Sequence, residues 1–72
     1  MTYLYKEIVN YKTGKEIREE IAECYVYNFV KYQQLAGIAA EWEKKKGANI
    51  EYYDGDQLVV TYKDELIIYE IR

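Results

Sequence analysis

Residues 21–42 read IAECYVYNFVKYQQLAGIAAEW, and between Cys24 and Ala40 the only formally charged side chain is Lys31. Wound as one helix, the stretch places Ile21, Cys24, Tyr25, Tyr32, Leu35, Ala39 and Trp42 on one face, while Val26, Phe29, Val30, Ala36 and Ala40 spread well beyond it. A helix that is apolar almost all round is a buried helix. A chain of 72 residues can cover one side of it with a small sheet, but hardly two. The second side therefore points to a partner, either another copy of the chain or a foreign protein.

The flanks decide where this helix begins and ends. Upstream, YLYKEIVNY (3–11) is rich in Tyr, Ile and Val and reads as a strand. Two readings compete for the residues after it. Gly14 supplies the left-handed residue of a hairpin loop that returns residues 15–18 against the first strand. Thr13 and Glu16 also satisfy a capping box that would start the helix at Gly14. A helix from Gly14 to Lys46 would run about 50 Å, whereas an eight-residue strand spans about 27 Å. The hairpin is therefore preferred, with the helix starting near Glu19 or Glu20. Glu19, Glu20 and Glu23 at its start and Lys44, Lys45 and Lys46 at its end then complement the macrodipole, and Gly47 is placed to terminate it. Gly37 marks a bend or a close packing contact within it.

The last third is a meander of three strands: Asn49 to Tyr53, Gln57 to Tyr62 and Leu66 to Ile71. A three-residue loop, Asp54-Gly55-Asp56, aligns Ile50 and Tyr52 with Leu58, Val60 and Tyr62 and keeps Glu51 out of the core; a one-residue slip would invert this. Ile67, Tyr69 and Ile71 face inward by the same test. The outer face then holds Tyr53, Val59, Thr61, Leu66 and Ile68, which is apolar for a solvated sheet face. The expected fold is α+β, a single domain over residues 1–72: one antiparallel sheet in the order β-β-α-β-β-β with one long helix packed across it.

Composition narrows the chemistry. Ten tyrosines stand against one Phe and one Trp, and His, Ser and Pro are absent. Without Ser or His no Ser-His-Asp arrangement can form, and Cys24, the single cysteine, has no imidazole to activate it. His/Cys metal clusters and phosphate-binding glycine motifs are missing, and Asp54-Gly55-Asp56 lacks the further ligands of a calcium loop. The expectation is a protein with no catalytic residues, no cofactor and no metal. The start MTYLYKEIV has no leader-like pattern. The 17 residues from Cys24 to Ala40 fall short of a membrane span. With no cystine pair, this points to the cytoplasm.

Charge is unevenly spread. Residues 1–50 carry eight basic and seven acidic side chains, whereas residues 51–72 carry six acidic and two basic ones. This acidic third argues against direct nucleic-acid binding, although stacking on an exposed tyrosine such as Tyr53 would be the route to it. Solubility alone can also account for the acidic residues. Tyrosines and carboxylates together suit docking on a protein, and the candidate partner-binding residues are Tyr27, Phe29, Glu51, Tyr53, Asp54, Asp56, Asp64 and Glu65. A short acidic Tyr-rich chain with strand YLYKEIVNY, loop KTGK, one helix and a terminal meander resembles small phage-encoded inhibitors of host defence, including some anti-CRISPR proteins. The resemblance is one of architecture and implies an inhibitor that blocks a nucleic-acid-binding surface on a host protein complex. Glu51, Asp54, Asp56, Asp64 and Glu65 would then imitate phosphates. The alternative is a homo-oligomer, such as a dimer, in which the spare helix face packs on itself.

Overall fold

In the computed structural model, residues 2–24 and 28–72 are described, the side chains of residues 2, 22–24, 28–30 and 44 aside. Tyr25, Val26 and Tyr27 lie outside the described residues. The first hairpin joins β1 (Thr2–Asn10) to β2 (Glu16–Cys24). Its loop closes through Asn10, whose Oδ1 accepts hydrogen bonds from the N–H of Lys12 and Thr13 at 2.9 and 3.1 Å. Gly14 takes the left-handed turn, with φ at 70°. The helix α1 (Asn28–Lys46) comes next, then β3 (Asn49–Tyr53), β4 (Gln57–Tyr62) and β5 (Glu65–Ile71). The five strands form one antiparallel sheet in the spatial order β2-β1-β5-β4-β3. The expected α+β fold and element order are what the chain adopts.

The helix begins later than its sequence pattern predicts. Glu19 to Cys24 belong to β2, paired with β1 along its whole length. Ile21 is the extra residue of a bulge in that ladder, since Leu4 pairs with Ala22 and Tyr5 with Glu20. Glu19, Glu20 and Glu23 are therefore strand residues, and the first turn of α1 carries no acidic side chain. At the other end Gly47, with φ at 64°, terminates the helix as expected.

Leu58 and Val60 of β4 and Ile67, Tyr69 and Ile71 of β5 all point to the helix side and are buried, with Leu4 of β1, Leu35 of α1 and Ala48 completing the core. Ile8, Ile38, Ala39, Trp42 and Tyr62 pack around them. The opposite side of α1 is open to solvent where its side chains are described. Ala36, Gly37 and Ala40 are exposed there and present little more than methyl groups, and among the described residues nothing outside the helix's own backbone approaches within 4 Å of where a Gly37 side chain would begin.

The faces of β4 and β5 keep the expected alternation, but β3 does not. Ile50 pairs with Val60, whereas Tyr52 pairs with Val59 and Tyr53 with Leu58. Glu51 is the additional residue of a β-bulge, which inserts one residue without changing the partner strand. Tyr53 consequently joins Ile50 on the helix side, and Tyr52 takes the outer face beside Val59 and Ile68. The expected inward pair, Ile50 and Tyr52, is thus corrected to Ile50 and Tyr53.

Candidate partner-binding surface

β3 ends the sheet, so the backbone groups it directs away from β4 have no strand beside them. All five of its residues are exposed. Around this free edge stand four large side chains that are exposed in a folded chain: Tyr32, Ile50, Tyr52 and Tyr53, with Tyr32 and Tyr52 about half exposed, at 53 and 49 %. The bulge at Glu51 sends Tyr52 over one face of the edge and Tyr53 over the other, so the aromatic groups straddle it.

The turn beside this edge sets their positions. Asp54 Oδ1 accepts hydrogen bonds from the N–H of Asp56 at 2.9 Å and of Gln57 at 2.8 Å. Its other oxygen accepts the Tyr52 hydroxyl proton at 2.8 Å. These bonds, the Tyr52 one foremost, hold the Asp54 carboxyl below the usual carboxylate range. The same hydrogen bond, and then the negative charge of Asp54, push the Tyr52 phenol up. Gly55 comes next with φ at 89°, and the ring of Tyr32 rests on its backbone. Tyr32 and Tyr53 meet edge to face, with ring centroids 6.2 Å apart, and the Tyr53 hydroxyl donates to the Tyr32 carbonyl at 3.4 Å. Partial burial of the Tyr53 ring, and then its proximity to Tyr32, raise its phenol.

Two of the remaining carboxylates have local partners. Lys31 Nζ lies 2.8 Å from Asp56 Oδ1, tying the start of α1 to the hairpin. Thr61 Oγ1 donates to Glu51 at 2.8 Å on the outer face. Comparison with family models, characterised proteins and solved structures finds no match to this chain.

The residues singled out from the sequence divide into three groups. Glu51, Tyr53, Asp54 and Asp56 come together at the β3–β4 hairpin. Asp64 and Glu65 sit at the other end of β4, where the Asp64 carbonyl accepts from the Tyr11 N–H at 2.8 Å next to the β1–β2 loop. The hairpin and this corner are separate surfaces. Tyr27 lies outside the described residues, as does the side chain of Phe29. Sequence reasoning missed Tyr32, Ile50 and Tyr52 as surface groups. No sequence signal marked Tyr32, whose ring settles on the bare Gly55 backbone only once helix and hairpin meet. Among the described residues no group of His, Cys, Asp and Glu is placed to hold a metal ion, and no helix is long and apolar enough to cross a membrane.

Proposed function

We propose that the chain is a non-enzymatic protein-binding module, an inhibitor that docks on a nucleic-acid-handling complex of a host cell in the manner of anti-CRISPR proteins. The observation that carries this reading is the gathering of Tyr32, Ile50, Tyr52 and Tyr53 around one free sheet edge next to carboxylates. An open edge can accept a partner strand by main-chain hydrogen bonding, with flanking side chains supplying specificity. Rigid aromatic groups are the side chains in which interface hot spots are enriched. The adjacent Glu51, Asp54 and Asp56, against the single Lys31 that pairs with Asp56, leave the patch an acidic rim suited to the Lys and Arg side chains of a surface that normally holds phosphates. Asp54 also serves the proposal indirectly, by holding the turn.

The test uses tagged wild-type protein and its Tyr52→Ala and Asp56→Lys variants against a nuclease-treated bacterial lysate. The reading expects one stoichiometric complex that wild type retains, that both variants lose, and that added nucleic acid displaces. Equal retention by all three proteins, or retention of nothing except further copies of the chain, overturns it. The second outcome would make the chain a homo-oligomer.

A further inference from the structure

On the helix side of the sheet, α1 lies over β3 and β4 and leaves a groove along β1. The groove has a volume of about 230 Å³ and is floored by Ile38, the Trp42 indole and the Tyr69 ring. Trp42 is fixed there. Its Nε1–H donates to the Tyr69 hydroxyl at 2.8 Å, and its ring meets that of Tyr62 edge to face at 5.4 Å. Lys6 from β1 and Lys46 from the end of α1 bring their ammonium groups to 5.8 and 5.6 Å from the centre of the Trp42 ring. Lys6 is also 5.7 Å from the centre of the Tyr69 ring. Lys45 stands at the rim, held by Glu41 at 3.1 Å.

The groove is therefore lined by three ammonium groups and one carboxylate, a local net charge of +2 in a chain whose net charge is −3. Glu19 stands opposite Lys6 on the neighbouring strand, and with it included the site is still positive. An aromatic floor under a cationic rim is complementary to an anion that carries an apolar body. Size restricts that body. Pockets for drug-sized ligands run from about 300 to 1,000 Å³, so this one takes a single ring and one head group.

We propose that the groove between α1 and β1 binds a small amphiphilic anion, one ring bearing a phosphate or carboxylate head. The ring takes the indole surface open to the groove, and the Lys6 and Lys46 ammonium groups beside it turn onto the head. This site is independent of the β3 edge, from which it is separated by the ten residue steps from Tyr32 to Trp42, about 15 Å along the helix.

Trp42 is the only tryptophan in the chain, so its fluorescence reports on the groove alone. The experiment titrates the full chain with phenyl phosphate, benzoate, inorganic phosphate and phenol. Phenyl phosphate or benzoate is expected to change the emission saturably, and which of the two binds more tightly assigns the head group. Inorganic phosphate and phenol, each lacking half of the ligand, are expected to bind at least about tenfold more weakly. Lys6→Gln and Lys46→Gln should each weaken binding roughly two- to fivefold, the range for an exposed charge contact. Glu41→Gln should tighten it, a gain that lysines serving only to cover the indole would not produce. A linear response to every compound, or lysine and Glu41 variants that titrate like wild type, overturns the proposal. If a lysine variant fails to fold, a rise in wild-type melting temperature with phenyl phosphate or benzoate but not with phenol decides the matter, and no rise overturns it.

Discussion

The ring of Tyr32 lies so close to the Gly55 backbone that a β-carbon built at residue 55 would stand 2.7 Å from Cζ of that ring. Helix and hairpin are thus joined at a point where only glycine fits, for two separable reasons. The φ of 89° is one that L side chains avoid, at about 1–2 kcal/mol. The steric overlap falls on the far end of a side chain that can swing away. Gly55→Ala is therefore expected to lower stability by about 1–3 kcal/mol and to free the Tyr32 ring. In a Tyr32→Ala background the same change should cost only the backbone part. Urea denaturation of the four proteins in this cycle measures the difference, and an identical cost in both backgrounds would show that the ring contact contributes nothing.

Asp54 makes the hairpin sensitive to acid. Its carboxyl titrates below the usual range in the folded chain, so the unfolded state binds the proton more readily. The stability this contributes is complete above the ordinary carboxylate pKa, near about 4, and disappears as the pH falls through the depressed folded value. Asp54→Asn keeps an oxygen to accept the Asp56 and Gln57 N–H groups but removes the titration. Thermal melts between neutral and acid pH should show a shallower acid limb for the variant. Tyr52 supplies a second readout, because its phenol is raised chiefly by the bond to Asp54. Its tyrosinate absorbance should appear at lower pH in Asp54→Asn than in wild type.

Burial divides α1 sharply, and mutation should expose the division. Leu35 is fully buried against the sheet, while Ala36, the next residue, is exposed. Leu35→Ala is expected to cost about 2–5 kcal/mol, through lost transfer energy and the cavity left behind. That is a large fraction of the roughly 4–11 kcal/mol typical of a chain this long. Ala36→Gln should change stability by no more than about 0.5 kcal/mol. A large loss for Ala36→Gln, seen in the midpoint of urea denaturation, would mean that this side of the helix is covered in solution, as an oligomer built on the helix would require.

The sheet was legible wherever charge and apolar residues alternate. In β4 and β5 an inverted register would bury Glu70, so Leu58, Val60, Ile67, Tyr69 and Ile71 could be placed from sequence. In β3 the charge of Glu51 keeps that residue out of the core but does not mark it as a bulge, and the faces of Tyr52 and Tyr53 are exchanged for that reason. The start of α1 was hidden differently. Glu19-Glu20-Ile21-Ala22-Glu23 contains good helix formers, and pairing with β1 is what holds it extended, a tertiary contact that overrides local preference. The same error placed Ile21 and Cys24 on a helix and enlarged its apolar surface. Residue type alone singles out Glu51, Tyr53, Asp54 and Asp56, which the fold brings together at the β3–β4 hairpin. Tyr32 was assigned to the core because periodicity records which side of a helix a residue occupies, but not where along the helix the sheet stops.

That extended segment leads to the last expectation. β2 is the other free edge of the sheet, and residues 16–21 of it are exposed. It is the longer edge, at nine residues against five in β3, and so the greater hazard for strand-to-strand association. Two features guard it. The bulge at Ile21 interrupts its flatness, and Glu16, Glu19 and Glu20 place negative charge along it. In the antiparallel registers that set Glu19 against Glu19 or Glu20 of a second copy, self-pairing through β2 is opposed by charge. Replacing Glu19 and Glu20 together by Thr, a residue with good strand propensity, removes most of that opposition without touching the core. Sedimentation velocity should then show association that grows with concentration beyond that of wild type and weakens when the single change Glu19→Thr is made instead. A double variant that sediments like wild type at every concentration would assign the protection to the bulge rather than to the charges.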